Sequence, residues 1–276
     1  MCFLMVFRTI GSGSVERLHF EYHMEIHYTV PVSQCYFTIK CIPKDDARQR
    51  LLAMEISLLP ETSYSYGEDS YSNKLIFGHV EEVHDKFIYH ITGDVEILQT
   101  DYEEDALEER IGMYRFPFGK CQPGPGLLAY YDTLDFSECE SSYEKCISLM
   151  HRLYQDFQYV PNATEVYTPA EEAWSMGKGV CQDYAHIYIT LLRLAGIPAR
   201  YVCGLLIGEG ASHAWVEALC EKRWIGFDPT NDCLISNSHI KLGDGRDASE
   251  CAINRGILWG GGTQMQKISA AVEQSQ

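Results

Sequence analysis

The stretch Gly177-Lys178-Gly179-Val180-Cys181-Gln182-Asp183-Tyr184-Ala185-His186, with the apolar run behind it, constrains this chain most. Tyr184, Ile187, Tyr188, Leu191, Leu192 and Ala195 recur at helical spacing, so a helix with one apolar face begins just after Cys181. Gly196 and Pro198 stop it. The glycines before Cys181 permit a tight approach to the helix and set the thiol at the positive end of its dipole, where thiolate is favoured. A thiol so placed is a candidate nucleophile. Asp183 is close enough to cap free N–H groups of the same first turn.

Three strand-like runs follow, at 199–207, 212–219 and 223–227. If the last two form a hairpin closed by Cys220-Glu221, His213 stands directly opposite Asp228, with Cβ atoms about 5 Å apart. The loop lacks glycine, so a longer loop and a shifted register are open too. A slip of two residues still leaves them diagonal neighbours on one face. Thiol, imidazole and carboxylate are the parts of acyl transfer: histidine takes the thiol proton and returns it to the leaving amine, and the carboxylate holds the ring.

Toward the N-terminus, residues 20–42 alternate and are rich in β-formers, with Pro31 and Pro43 as breaks. Further strand-like segments at 51–58, 74–83, 87–91 and 94–99, separated by turn-rich stretches such as 61–73, read as a β-sandwich-like unit over 18–118. Glycine and proline cluster at 119–126, which places a linker over 119–136. A second domain then runs over 137–276. Ser137 with Glu140 resembles a capping box ahead of an apolar stripe from Tyr143 to Phe157, and Thr168-Pro169 reads as the start of a short helix through Trp174.

A formal net charge of -17, from 39 acidic and 22 basic residues, argues against nucleic acid or an anionic membrane surface as partner. Eleven cysteines, an odd number without compact spacing or a Cys-x-x-Cys pair, fit reduced thiols in a cytoplasm better than disulfides or a structural zinc site. Residues 1–17 read as a short leader, since the apolar start is too short for a signal-peptide core, and no later run reaches membrane-spanning length.

Four blocks carry a resemblance: Gly179-Val180-Cys181-Gln182-Asp183-Tyr184-Ala185, Gly196-Ile197-Pro198-Ala199-Arg200-Tyr201-Val202, Ser212-His213-Ala214-Trp215-Val216-Glu217 and Trp224-Ile225-Gly226-Phe227-Asp228-Pro229-Thr230. In order and spacing they resemble the bacterial transglutaminase-like superfamily, and the likeness continues through His239-Ile240-Lys241 and Gly245-Arg246-Asp247. Asp247-Ala248-Ser249-Glu250 departs from it, standing where many relatives carry an aromatic and an aspartate. The resemblance implies an α+β fold, a β-sandwich-like N-terminal domain followed by a papain-like transglutaminase core. It also implies Cys181 as nucleophile, His213 as base and acid, and Asp228 as orienter.

The expected activity is attack on a peptide or carboxamide through a thioester, resolved by water in a protease or amidase, or by an amine in a transglutaminase. A non-catalytic binding module is the alternative of another class. The expected partner is a peptide or protein substrate, and the chemistry requires no metal and no cofactor. His186 reads as structural. Trp215 and Trp224 read as strand core or cleft wall, and Trp174 is a conceivable contributor to an oxyanion hole.

Overall fold

The computed structural model describes residues 16–98, 103–105 and 111–275. The expected leader therefore lies outside the described residues except for Glu16 and Arg17, which already belong to a strand. Strands β1 (Glu16–Ile39), β2 (Gln49–Leu59), β3 (Tyr64–Glu68), β4 (Lys74–Val80) and β5 (His84–Ile97) come first. After β6 (Glu103–Asp105) follow α1 (Pro125–Tyr131), α2 (Ser142–Asp156), β7 (Gln158–Tyr159), α3 (Ala170–Met176), β8 (Lys178–Gly179) and α4 (Cys181–Leu194). The chain ends with β9 (Ala199–Leu206), β10 (Gly208–Gly210), β11 (His213–Cys220), β12 (Arg223–Asp228), β13 (Cys233–Leu234), β14 (His239–Gly245) and β15 (Asn254–Gln274).

Alternation builds the first sheet. Leu18, Phe20, Tyr22, Met24 and Ile26 of β1 are buried, while His19, Glu21, His23, Glu25 and His27 face the other way. The strand does not stop at Pro31; it passes through with irregular register between Tyr28 and Gln34. Opposite this bulge, Gly260, Gly261 and Gly262 of β15 all have positive φ, and a Cβ on Gly260 would lie 2.4 Å from the Pro31 carbonyl oxygen. Here the sheet turns back on itself. Fully extended, β1 would carry Phe37 about 36 Å from Ile26, yet the Phe37 ring lies 5.1 Å from that of Phe87, the partner of Ile26. The two layers of the expected sandwich are thus halves of one seven-stranded antiparallel sheet, ordered β10-β15-β1-β4-β3 with β5 and β2 beside the first half of β1. β3 occupies the segment read as turn-rich, and β5 joins two runs read as separate.

β15 lies along β1 from Leu18↔Gln274 to Ile39↔Asn254, so the unit expected over 137–276 gives its last strand to the N-terminal sheet. The glycine- and proline-rich segment holds α1, whose first turn is tied down by Glu171: its carboxylate accepts N–H bonds from Gly124, Gly126 and Leu127 at 2.7–3.0 Å. The capping box of α2 is Ser141 with Glu144, not Ser137 with Glu140; the Ser137 N–H donates to Asp135 instead.

The second sheet has the order β13-β12-β11-β9-β14, with β6 on β12. α4 packs on β9 and β11 and is covered by α1, α2 and α3, so it is buried all round from Asp183 to Arg193 rather than on one face. Near its end, Arg193 donates to the carbonyls of Tyr114, Ala199 and Arg246 at 2.8–3.0 Å. Between the sheets, the Gln49 amide bridges the backbone of Lys44 and Lys241, and Lys44 pairs with Asp244 at 2.7 Å.

Candidate active site

Cys181 is the first residue of α4, after an extended Val180, and is half-buried. Asp183 folds back over this turn, accepting the Val180 N–H at 2.8 Å and the Thr164 hydroxyl at 2.5 Å. Gly179 makes room for it: a Cβ there would lie 2.5 Å from Asp183 Oδ2. β8 pairs with β7, which fixes the approach to the helix from the other side.

His213 opens β11 and Asp228 closes β12. The hairpin turns on Glu221-Lys222, both at positive φ (44° and 75°), in the two-residue geometry that usually takes glycine or asparagine. The ladder pairs Val216 with Phe227, a shift of two from the direct register, so His213 and Asp228 are diagonal neighbours. They meet all the same, His213 Nε2 lying 2.7 Å from Asp228 Oδ2. That leaves Nδ1 for Cys181, whose thiol is hydrogen-bonded to the ring.

Asp228 is wholly buried and well supplied with donors. The N–H groups of Thr230 and Asn231 reach Oδ1 at 3.0 and 3.2 Å; the Asn231 amide reaches Oδ2 at 2.7 Å, and His239 Nε2 the same oxygen at 3.4 Å. Burial opposes ionisation, but the charge and hydrogen bond of His213, with the hydrogen bond of His239, outweigh it and hold the carboxyl well below the usual range. For His213 burial likewise favours the neutral ring, and the Asp228 carboxylate with the bonds to Asp228 and Cys181 pushes it up to about 10. Burial keeps His239 low. Its Nδ1 accepts the Ser236 N–H at 3.4 Å, which sets the tautomer with the proton on Nε2.

His239, Thr230 and Asn231 were not singled out from sequence. Thr230 and Asn231 follow Asp228 in an Asx turn, which is a local signal, whereas no local pattern ties His239 to the carboxylate. Among the described residues, His213, Asp228 and His239 form a group whose ligand atoms lie within 4.8 Å of one another and could hold a metal ion. The same atoms already serve the proton-mediated contacts above.

A cleft of about 620 Å³ opens on His213, walled by Phe157, Tyr159, Tyr184, Thr230 and Asn231 among others. A larger depression, of about 840 Å³, lies on the N-terminal sheet around Tyr36, Phe77 and His79. Neither strand tryptophan walls the cleft. Trp215 is fully buried, and Trp224 packs on Tyr114 beneath Arg200. Trp174 sits between Tyr130 and Phe157. His186 is enclosed, driven down to about 3 by burial, and accepts the Ala248 N–H.

Two family models match the chain: the transglutaminase-like superfamily over residues 134–229 and the bacterial transglutaminase-like N-terminal region over 18–96. An uncharacterized protein of Mycobacterium tuberculosis is 29% identical over 292 residues, covering 91% of this chain and 90% of its own. A protein-glutamine gamma-glutamyltransferase of Pseudomonas aeruginosa is 32% identical over 113 residues, covering 34% of this chain and 17% of its own. The crystal structure of a Cytophaga hutchinsonii protein, named there as a candidate cysteine protease, superposes with a TM-score of 0.81 at 21% identity, covering 96% of this chain and 92% of that one; the likeness establishes the fold. With the N-terminal region and the core matched in order along one chain, the protein belongs to the transglutaminase-like superfamily.

Proposed function

We propose that the protein is a cysteine-dependent acyl-transfer enzyme acting on peptide or carboxamide bonds, with Cys181 as nucleophile, His213 as base and acid, and Asp228 as orienter. The observation that carries this reading is the 2.7 Å contact of His213 Nε2 with Asp228, which leaves Nδ1 to the Cys181 thiol. The thiol proton passes to Nδ1 before attack, the thiolate sulfur then attacks the carbonyl carbon, and the carbonyl π pair moves onto oxygen. The Cys181 backbone N–H, free at the start of α4, is the donor this reading assigns to that oxyanion. On collapse the C–N bond breaks, the leaving amine takes the proton from Nδ1, and a thioester remains. A water or amine then attacks it, yields its proton to Nδ1, and expels the thiol.

Hydrolysis is the preferred outcome. Water at about 55 M needs no pocket, whereas an amine acceptor needs one that excludes water, and Tyr159 in the cleft wall is 54% exposed. Transamidation is the second reading, favoured by the resemblance of the core to a protein-glutamine gamma-glutamyltransferase. A cytoplasmic location accords with the free thiols of all ten described cysteines, and no helix among the described residues is long and apolar enough to cross a membrane.

The test is the pH dependence of alkylation at each cysteine by iodoacetamide, read by mass spectrometry in wild type and His213→Ala. Selective alkylation of Cys181 below pH 7, lost in the variant, is expected. If Cys181 instead reacts like the other accessible thiols in both proteins, the catalytic reading fails and the binding module takes its place. Product partition of a glutaminyl peptide with and without added primary amine then separates hydrolysis from transamidation.

A further inference from the structure

The N-terminal sheet reaches the proposed site through one side chain. Arg48, just ahead of β2, is 1% exposed. Its guanidinium leaves its own sheet to donate to the carbonyl of His239 at 2.7 Å and to that of Ser236. Those two residues bound the turn before β14, and within it the Ser236 N–H holds His239 Nδ1. His239 Nε2 consequently points at Asp228 Oδ2, the oxygen that His213 also uses. Asp228 needs no help to stay in place, because Thr230 and Asn231 hold both of its oxygens. The effect of His239 is therefore on how much of the carboxylate's charge is left for His213.

Resting on the reading of Cys181, His213 and Asp228 given above, we infer that His239 is a positioning residue, clamped by Arg48 from the N-terminal sheet, that shares Asp228 Oδ2 with His213 and so limits how tightly the carboxylate holds the imidazole. The sharing suits a ring that must both take and give a proton. If Asp228 paired with His213 alone, the imidazolium would be stabilised, and delivery of its proton to the leaving amine would slow. His239 suits the task because it is neutral. A second imidazolium there would compete with His213, and the charges facing it from neighbouring elements, Arg48 and His213, both disfavour its protonation while Asp228 opposes them. The assignment gives the N-terminal sheet a part in the chemistry beyond support.

The experiment uses the full chain and follows the titration of the His213 ring by NMR, alongside the pH profile of Cys181 alkylation by iodoacetamide. In His239→Phe, which keeps an aromatic ring and removes the donor, the affinity of His213 for its proton is expected to rise about tenfold, the scale of one hydrogen bond to a charged group. His239→Gln, whose amide can donate from the place of Nε2, is expected to stay within about threefold of wild type. Arg48→Gln is expected to move His213 as His239→Phe does, with Cys181, His213 and Asp228 untouched. Circular dichroism establishes that each variant is folded; should Arg48→Gln not fold, the two His239 variants decide. A folded His239→Phe protein with the wild-type His213 titration overturns the inference while leaving the proposed function standing. Wild-type alkylation of Cys181 that ignores His213→Ala overturns both.

Discussion

Replacing Asp228 by asparagine changes almost no volume and tests the site at its centre. On the Oδ1 side little is lost, because an amide oxygen can still accept the N–H groups of Thr230 and Asn231. The other side is different. An NH2 group there faces His213 Nε2 and the Asn231 amide at 2.7 Å and His239 Nε2 at 3.4 Å, three partners that donate to the carboxylate. His213 can avoid the conflict by moving its proton to Nδ1, the nitrogen that faces Cys181. It then cannot accept the thiol proton. The same change removes the charge that does most to push His213 up, leaving Cys181 alone against burial and favouring the neutral ring. A wrong tautomer of this kind lowers the rate about 10⁴-fold, or about 5.5 kcal/mol of barrier. Alkylation gives a reading free of any substrate: a thiol with an ordinary pKa of about 8.5 is only about 0.3% thiolate at pH 6. Iodoacetamide should therefore label Cys181 roughly a hundredfold more slowly at pH 6 in Asp228→Asn than in wild type. A folded Asp228→Asn protein labelled within threefold of wild type would show that Asp228 does not control the His213 proton.

The same pair makes stability depend on pH with a definite sign. The folded-state pKa of Asp228 is depressed, so its contribution is present above about pH 4 and lost on acidification below that. For His213, raised from 6.5 to about 10, the contribution is full below pH 6.5 and lost as pH rises toward 10. Urea midpoints of wild type and Asp228→Asn should thus differ most between about pH 4 and 6.5 and converge by pH 10, and a constant difference would contradict the assignment. Lys222→Gly should stabilise the protein by about 1 kcal/mol, because Lys222 has φ 75° and glycine carries no Cβ penalty there; a lower urea midpoint would count against the turn geometry. Gly179→Ala should displace Asp183 from the Val180 N–H, costing about 1 kcal/mol or more and slowing Cys181 labelling, whereas wild-type behaviour would mean the turn relaxes freely.

The parts of the site that the sequence made legible are those set by local geometry. Cys181 could be placed because glycines, a cap and an apolar period occur within a few residues of it. The side shared by His213 and Asp228 could be placed because a strand has period two, and parity survives a slip of two. The turn could not: Glu221 and Lys222 adopt positive φ without glycine or asparagine, so no residue type marks them. His239 and Arg48 were invisible for another reason. His239 meets Asp228 from a strand of the same sheet that is not its neighbour, and Arg48 reaches the turn at 236–239 from the other sheet across a long stretch of chain; spacing carries no information on either. Pro31 misled in the same way, since the glycines that accommodate the bend around it lie on a strand more than two hundred residues later.

The pairing of β1 with β15 also bears on how the protein is made. On the ribosome, the long strand Glu16–Ile39 emerges with its first hairpin partners, but the neighbour that covers it from Leu18 to Ile39 begins only at Asn254 and is translated much later. Closing so large a loop is slow, and until then one side of β1 presents unpaired backbone groups to any other nascent strand. Chains that stall or are cut before residue 254 would keep that side open, and exchange of β15 between two copies is the natural error of such a design.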